Sequence, residues 1–155
     1  MNKRLLKATY TLALIFGTMM FFSSCSDDSN DIVETAWNIE EFTVNSTQWS
    51  WNSDLNRWEA VRPLDYIDDF IYEKGAVIGY IFIGTQGQDE LQIQLPYIKS
   101  WLIDGEDGGQ INFTETIGYE YSIVNKRVTF FIEPSDGFRD EDAKQTYNFK
   151  IVMIW

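Results

Sequence analysis

Near the end of this chain Tyr147, Phe149, Ile151, Met153 and Trp155 recur at every second position, with Asn148 and Lys150 between them. A spacing of two is the repeat of a β-strand, whose successive side chains point to opposite faces; a helix would scatter these five residues around its circumference. So many large apolar groups on one face must be covered, which calls for a second packed layer. Val152 and Ile154 make the end of this strand apolar on both faces. The same alternation returns upstream. Leu91, Ile93 and Leu95 alternate with Gln92 and Gln94, and Tyr119, Tyr121 and Ile123 with Glu120 and Ser122. After a turn at Asn125 and Lys126, Val128, Phe130 and Ile132 continue the pattern, making a hairpin that Pro134 ends.

Two segments are less regular. Ala76–Ile83 is almost continuously apolar, as a central strand covered on both faces would be. Trp37 and Ile39 share one parity while Phe42 and Val44 share the other, and a β-bulge at Glu40 and Glu41 would reconcile them. One short helix is expected over residues 65–74. Asp65 serves as its N-cap, Ile67, Phe70 and Ile71 recur at helical spacing, and Gly75 stands in the C′ position. Many short strands at close spacing predict an all-β fold, an antiparallel β-sandwich of Ig-like or jelly-roll-like type with one short helix, or alternatively a β-barrel. Residues 34–155 form this single domain.

The first 33 residues are of another kind. A basic start (Lys3, Arg4, Lys7) leads into an apolar run from Ala8 to Phe22, and Ser23-Ser24-Cys25 then gives way to Ser26-Asp27-Asp28-Ser29-Asn30-Asp31. This is the tripartite shape of a secretory signal over residues 1–24. The run of 15 apolar positions is shorter than the roughly 20 of a membrane-spanning helix. Ser-Ser-Cys at the junction resembles the lipobox of bacterial lipoproteins, which implies that Cys25 is acylated and becomes the first mature residue. Two or three acyl chains would then hold the protein stably, where one chain, at about 0.8 kcal/mol per buried CH₂, binds only marginally. Residues 25–33 read as the lipidated cysteine and an acidic linker.

The charge balance and the missing residue types narrow the chemistry. The chain carries a net charge of -12, and without the three basic residues of the leader the mature part stands near -15. Such acidity repels phosphate backbones, which excludes nucleic acid as a partner. Cys25 is the only cysteine and there is no histidine, so disulfides, Ser-His-Asp and Cys-His constellations and His-ligated zinc are all ruled out. No glycine-rich phosphate loop is present. No cofactor, metal or catalytic residue is expected.

Trp49-Ser50-Trp51-Asn52 followed by Arg57-Trp58-Glu59, then Ile71-Tyr72-Glu73-Lys74-Gly75-Ala76-Val77, Gln94-Leu95-Pro96-Tyr97 and the closing strand to Trp155 resemble small uncharacterised lipoproteins of Bacteroidetes-type bacteria. The resemblance implies a single β-rich domain and an outer-membrane location, and it implies no reaction. Within that group the acidic run after the lipidated cysteine, here Ser26, Asp27 and Asp28, resembles an export signal to the cell surface.

Three features bear on recognition. Trp49 and Trp51 sit two apart beside a turn at Ser53 and Asp54, and with Trp58 and Trp101 they are candidates for a ligand platform on which sugar rings could stack. Their strand-like spacing favours the alternative, packing within the domain. Residues 104–109 combine three carboxylates with three glycines, a composition open to Ca²⁺ but without EF-hand spacing. Asp68-Asp69 and Glu40-Glu41 are adjacent in sequence and need not face one another as a hydrolytic pair must. The chain therefore reads as a non-enzymatic, lipid-anchored envelope protein acting through protein contacts, or alternatively as a glycan-binding accessory lipoprotein. Exposure of the four tryptophans separates the two.

Overall fold

A computed structural model describes residues 36–104 and 108–155, with only the backbone of Ile103. The signal segment, Cys25, Ser26, Asp27 and Asp28 lie outside the described residues. Among the described residues the strands are β1 (Trp37–Val44), β2 (Ser50–Asn52), β3 (Arg57–Pro63), β4 (Ala76–Ile83), β5 (Leu91–Gln94), β6 (Tyr97–Asp104), β7 (Gln110–Ser122), β8 (Arg127–Pro134) and β9 (Tyr147–Ile154). A short α-helix, α1 (Asp69–Lys74), precedes β4, and a 3-10 turn spans Ser46–Gln48 between β1 and β2. Every pairing is antiparallel, in one four-stranded sheet of order β1-β9-β4-β5 and one five-stranded sheet of order β2-β3-β8-β7-β6. The sheets are not closed into a barrel, so the sandwich is the architecture.

The closing strand behaves as its pattern demands. β9 lies between β1 and β4, and Tyr147, Phe149, Ile151 and Met153 are all buried. Phe149 stacks on Phe130 of the opposite sheet with ring centroids 4.0 Å apart and planes 10° from parallel. Tyr119 of β7 crosses the core as well, donating its hydroxyl to the Val77 carbonyl of β4 at 2.8 Å. Only Leu95 and Pro96 separate β5 of one sheet from β6 of the other, so the chain changes layer there.

The structure corrects three local expectations. β1 pairs with β9 in unbroken register from Trp37↔Ile154 to Val44↔Tyr147, with no bulge at Glu40 and Glu41. The parity conflict is resolved by exposure instead. Trp37 and Ile39 are 66% and 42% exposed on the outer face, while Asn38 and Glu40 point inward on the same side as Phe42 and Val44. The helix cap is Asp68 rather than Asp65, its carboxylate accepting from the Ile71 amide at 2.7 Å. Of the three residues expected on the helix's inner face, Ile67 and Ile71 are buried but Phe70 is 59% exposed, because α1 is too short to bury a continuous stripe.

Candidate functional site

The four tryptophans do not share one surface. Trp49 and Trp58 are 5% and 2% exposed and belong to the core, and Trp51 is half-buried, packed edge-on to Trp58 at 5.3 Å. Their hydrogen-bonding ends show what they do. The Trp49 indole N–H donates to the Gln145 carbonyl at 3.0 Å, and the Trp58 indole N–H to the Asp140 carbonyl at 2.8 Å. Lys144 and Arg139 stand over the Trp58 ring at 4.6 and 5.0 Å, and both ion-pair with Glu141 at 2.5 Å. A buried indole satisfies its N–H wherever it can, and here both do so on the segment that links β8 to β9. Residues 135–146 are thereby fastened to the sandwich.

That segment forms one wall of an open cleft of about 380 Å³ lined by Trp101, Leu102, Phe113, Glu115, Asp140, Asp142 and Gln145. Trp101 of β6 and Phe113 of β7 are register partners, and their rings stack with centroids 5.7 Å apart and planes 29° from parallel. Trp101 is 42% exposed and is the one member of the sequence-derived platform that opens to solvent at this wall. A neighbouring hollow of about 420 Å³, sharing Phe113 and Asp140, extends the cleft toward Asp136, Phe138 and Arg139. A larger depression of about 500 Å³ lies by the other sheet, lined by Glu41, Phe42, Thr43, Phe82, Gln86, Glu90, Asn148 and Phe149. The cleft is the better candidate because aromatic faces and perturbed titratable groups converge there.

The floor of the cleft is electrostatically unusual for a β-sheet. Lys99 and Glu115 are register partners on the inward face of β6 and β7, and Lys99 Nζ donates to the Tyr147 hydroxyl of β9. Burial pushes the Glu115 carboxyl above the usual carboxylate range; Lys99 opposes this and Asp140 adds to it. Burial likewise lowers Lys99, against the pull of Glu115, and raises the Tyr147 phenol. The cleft therefore presents a carboxyl held toward its neutral form, two exposed carboxylates, a carboxamide and two aromatic rings. Such a set can accept and donate hydrogen bonds to hydroxyls, or receive a basic side chain.

The remaining sequence candidates fall elsewhere. Asp68 is spent on capping α1, and Glu40 and Glu41 point to opposite faces of β1, so neither adjacent pair converges on a common point. Residues 105–107 of the acidic glycine loop are outside the described residues, so the Ca²⁺ question for residues 104–109 stays with the sequence. Among the described residues no group of three or more potential metal ligands clusters. Phe113, Glu115, Asp140, Asp142 and Gln145 were not singled out from sequence. The alternation Ile111, Phe113, Ile117, Tyr119, Tyr121, broken only by Glu115, is the signal that would have marked β7 over its whole length. No protein-family model, curated protein or solved structure matches this chain.

Proposed function

We propose that this chain is a lipid-anchored protein of the cell envelope, presented at the cell surface, that acts by contact with another protein rather than by catalysis. The succession of basic start, apolar run and Ser-Ser-Cys supports the anchor, and the resemblance to Bacteroidetes-type lipoproteins supports the location. The observation that carries the contact is the outer edge of β6. This strand is eight residues long, lies at the margin of its sheet, and has Ile98, Trp101 and Leu102 exposed along it beside the cleft. An edge strand offers main-chain groups to an incoming extended segment, while a flanking pocket reads its side chains. The acidic cleft wall would favour a basic side chain there. Mass spectrometry of the mature protein tests the anchor: an acylated Cys25 at the N-terminus is expected, and a chain starting at an unmodified Met1 contradicts it. Contact at the edge is tested by a photo-crosslinking residue at position 102.

A second reading, glycan binding, is favoured by one feature, the partly exposed Trp101 stacked on Phe113 above hydrogen-bonding side chains. Affinity electrophoresis against a panel of polysaccharides separates the two. Retardation of the wild-type protein, lost in Trp101→Ala without a change in thermal melting, selects the glycan and displaces the protein contact.

A further inference from the structure

The outward face of the four-stranded sheet is divided into two unlike halves. Cross-strand register aligns Trp37, Ile154 and Ala76 in one row and Ile39, Val152 and Ile78 in the next. The following rows change character: Glu41, Lys150, Tyr80 and Gln94, then Thr43, Asn148, Phe82 and Gln92. Lys150 there lies over the Tyr80 ring at 5.0 Å and donates to Gln92 at 2.7 Å. The first two rows hold six uncharged, apolar side chains, and Trp37, Ile39 and Ala76 are exposed. A patch of this kind on a strongly acidic protein marks an interaction surface.

We infer that this apolar half-face rests on a zwitterionic phospholipid bilayer, with the Trp37 indole at the level of the headgroups. The inference rests on the lipid anchor at Cys25 proposed above. Ala36, where the described chain begins, follows Cys25 by eleven positions. At about 3.3–3.6 Å per residue that stretch reaches at most ~40 Å, so an anchored domain has its β1 end within that distance of the membrane and free to touch it. The patch starts at the next residue, Trp37, at that same end of the sheet. Indole rings favour the membrane–water interface, and aliphatic neighbours add area that can leave water. Charge selects among occupants. With a mature charge near -15, a second copy of the chain and an anionic lipid surface are both repelled, whereas a zwitterionic surface meeting an uncharged patch is not.

The test uses the full lipidated protein reconstituted in phosphatidylcholine vesicles with brominated acyl chains, which quench tryptophan on close approach. Quenching of the wild-type emission is expected, with that increment lost in Trp37→Phe and reduced in Ile39→Ser, while both variants melt like wild type. Acylated, vesicle-bound protein whose emission is the same in brominated and plain vesicles overturns the inference and leaves the anchor standing. Equal quenching in wild type and Trp37→Phe overturns it too. So does a concentration-dependent dimer in detergent that Trp37→Phe or Ile39→Ser abolishes, since a second copy then covers the face. Protein that is unacylated and fails to float with vesicles overturns the anchor and the inference together.

Discussion

The Trp58 indole N–H donates to the Asp140 carbonyl at 2.8 Å, so a core side chain fixes a residue that lines the cleft. Trp49 does the same for Gln145. Burial of these tryptophans and geometry of the cleft wall are therefore one arrangement. Trp58→Ala is expected to cost about 3–5 kcal/mol as a large ring leaves the core. Trp101→Ala, which removes a partly exposed ring and its stacking on Phe113, should cost about 0.5–1.5 kcal/mol. Chemical denaturation of the two variants measures the contrast. Equal losses would show that Trp101 is core as well.

Gly79 faces the Tyr119 ring so closely that a Cβ there would meet Tyr119 Cε1 at 2.5 Å. The ring is held from its far end by the hydroxyl on the Val77 carbonyl, so it cannot swing aside freely. Gly79→Ala is expected to destabilise by about 1–3 kcal/mol through overpacking. Tyr119→Phe, which removes only the cross-sheet hydrogen bond, should cost about 0.5–1.5 kcal/mol. Urea midpoints at constant slope report both.

Phe149 is 1% exposed between the aromatic groups of both sheets. Phe149→Ala should lower stability by about 3–5 kcal/mol. Deleting residues 147–155 removes the strand between β1 and β4 and should abolish cooperative unfolding altogether. A truncated protein with an unchanged Tm would contradict the sheet order.

Glu40 points inward, with Oε1 buried and without a hydrogen-bond partner. Burial raises its carboxyl pKa from 4.5; a hydrogen bond from the Tyr66 main chain partly opposes this and Asp65 adds to it. A raised carboxyl binds its proton more tightly in the folded state, so its favourable contribution is present below about 4.5 and lost as pH rises through the folded value. Glu40→Gln is accordingly expected to be more stable than wild type at neutral pH, with the gain shrinking as pH falls through the folded value and gone below about 4.5. Melts of both proteins across the acidic range check the sign. A variant that is less stable at neutral pH would mean that the Tyr66 hydrogen bond to the charged form outweighs its burial.

Regular alternation made the core legible. The residues read as inward-facing on β9 and β8 are buried, because each of those strands has one face in the core and little conflict between local pattern and tertiary environment. β1 misled because its inward face carries Asn38 and Glu40 while its outward face carries Trp37 and Ile39, an inversion that no local pattern can announce. β6 and the first half of β7 escaped for a related reason. Lys99 and Glu115 interrupt their inward rows, and Ile98 and Leu102 are exposed on β6. Of these, Glu115 and Leu102 line the candidate site and Lys99 is the register partner of Glu115, so polar groups on an inward face serve something other than packing there. Asp140, Asp142 and Gln145 come from a connecting segment with no periodicity at all, and the indole hydrogen bonds of distant tryptophans hold Asp140 and Gln145 at the cleft.

The most direct test of contact at the β6 edge is photo-crosslinking of the anchored protein in intact cells, with the crosslinking residue at position 102 and a control at position 124. Leu102 is 66% exposed at the cleft and Val124 is 89% exposed in the turn between β7 and β8, so exposure alone would favour the control. A discrete adduct from position 102, absent from position 124 and lost when Trp101→Ala is combined with it, is the predicted result. Equal crosslinking from both positions, or none from position 102 in protein shown to be acylated and folded, would contradict the account.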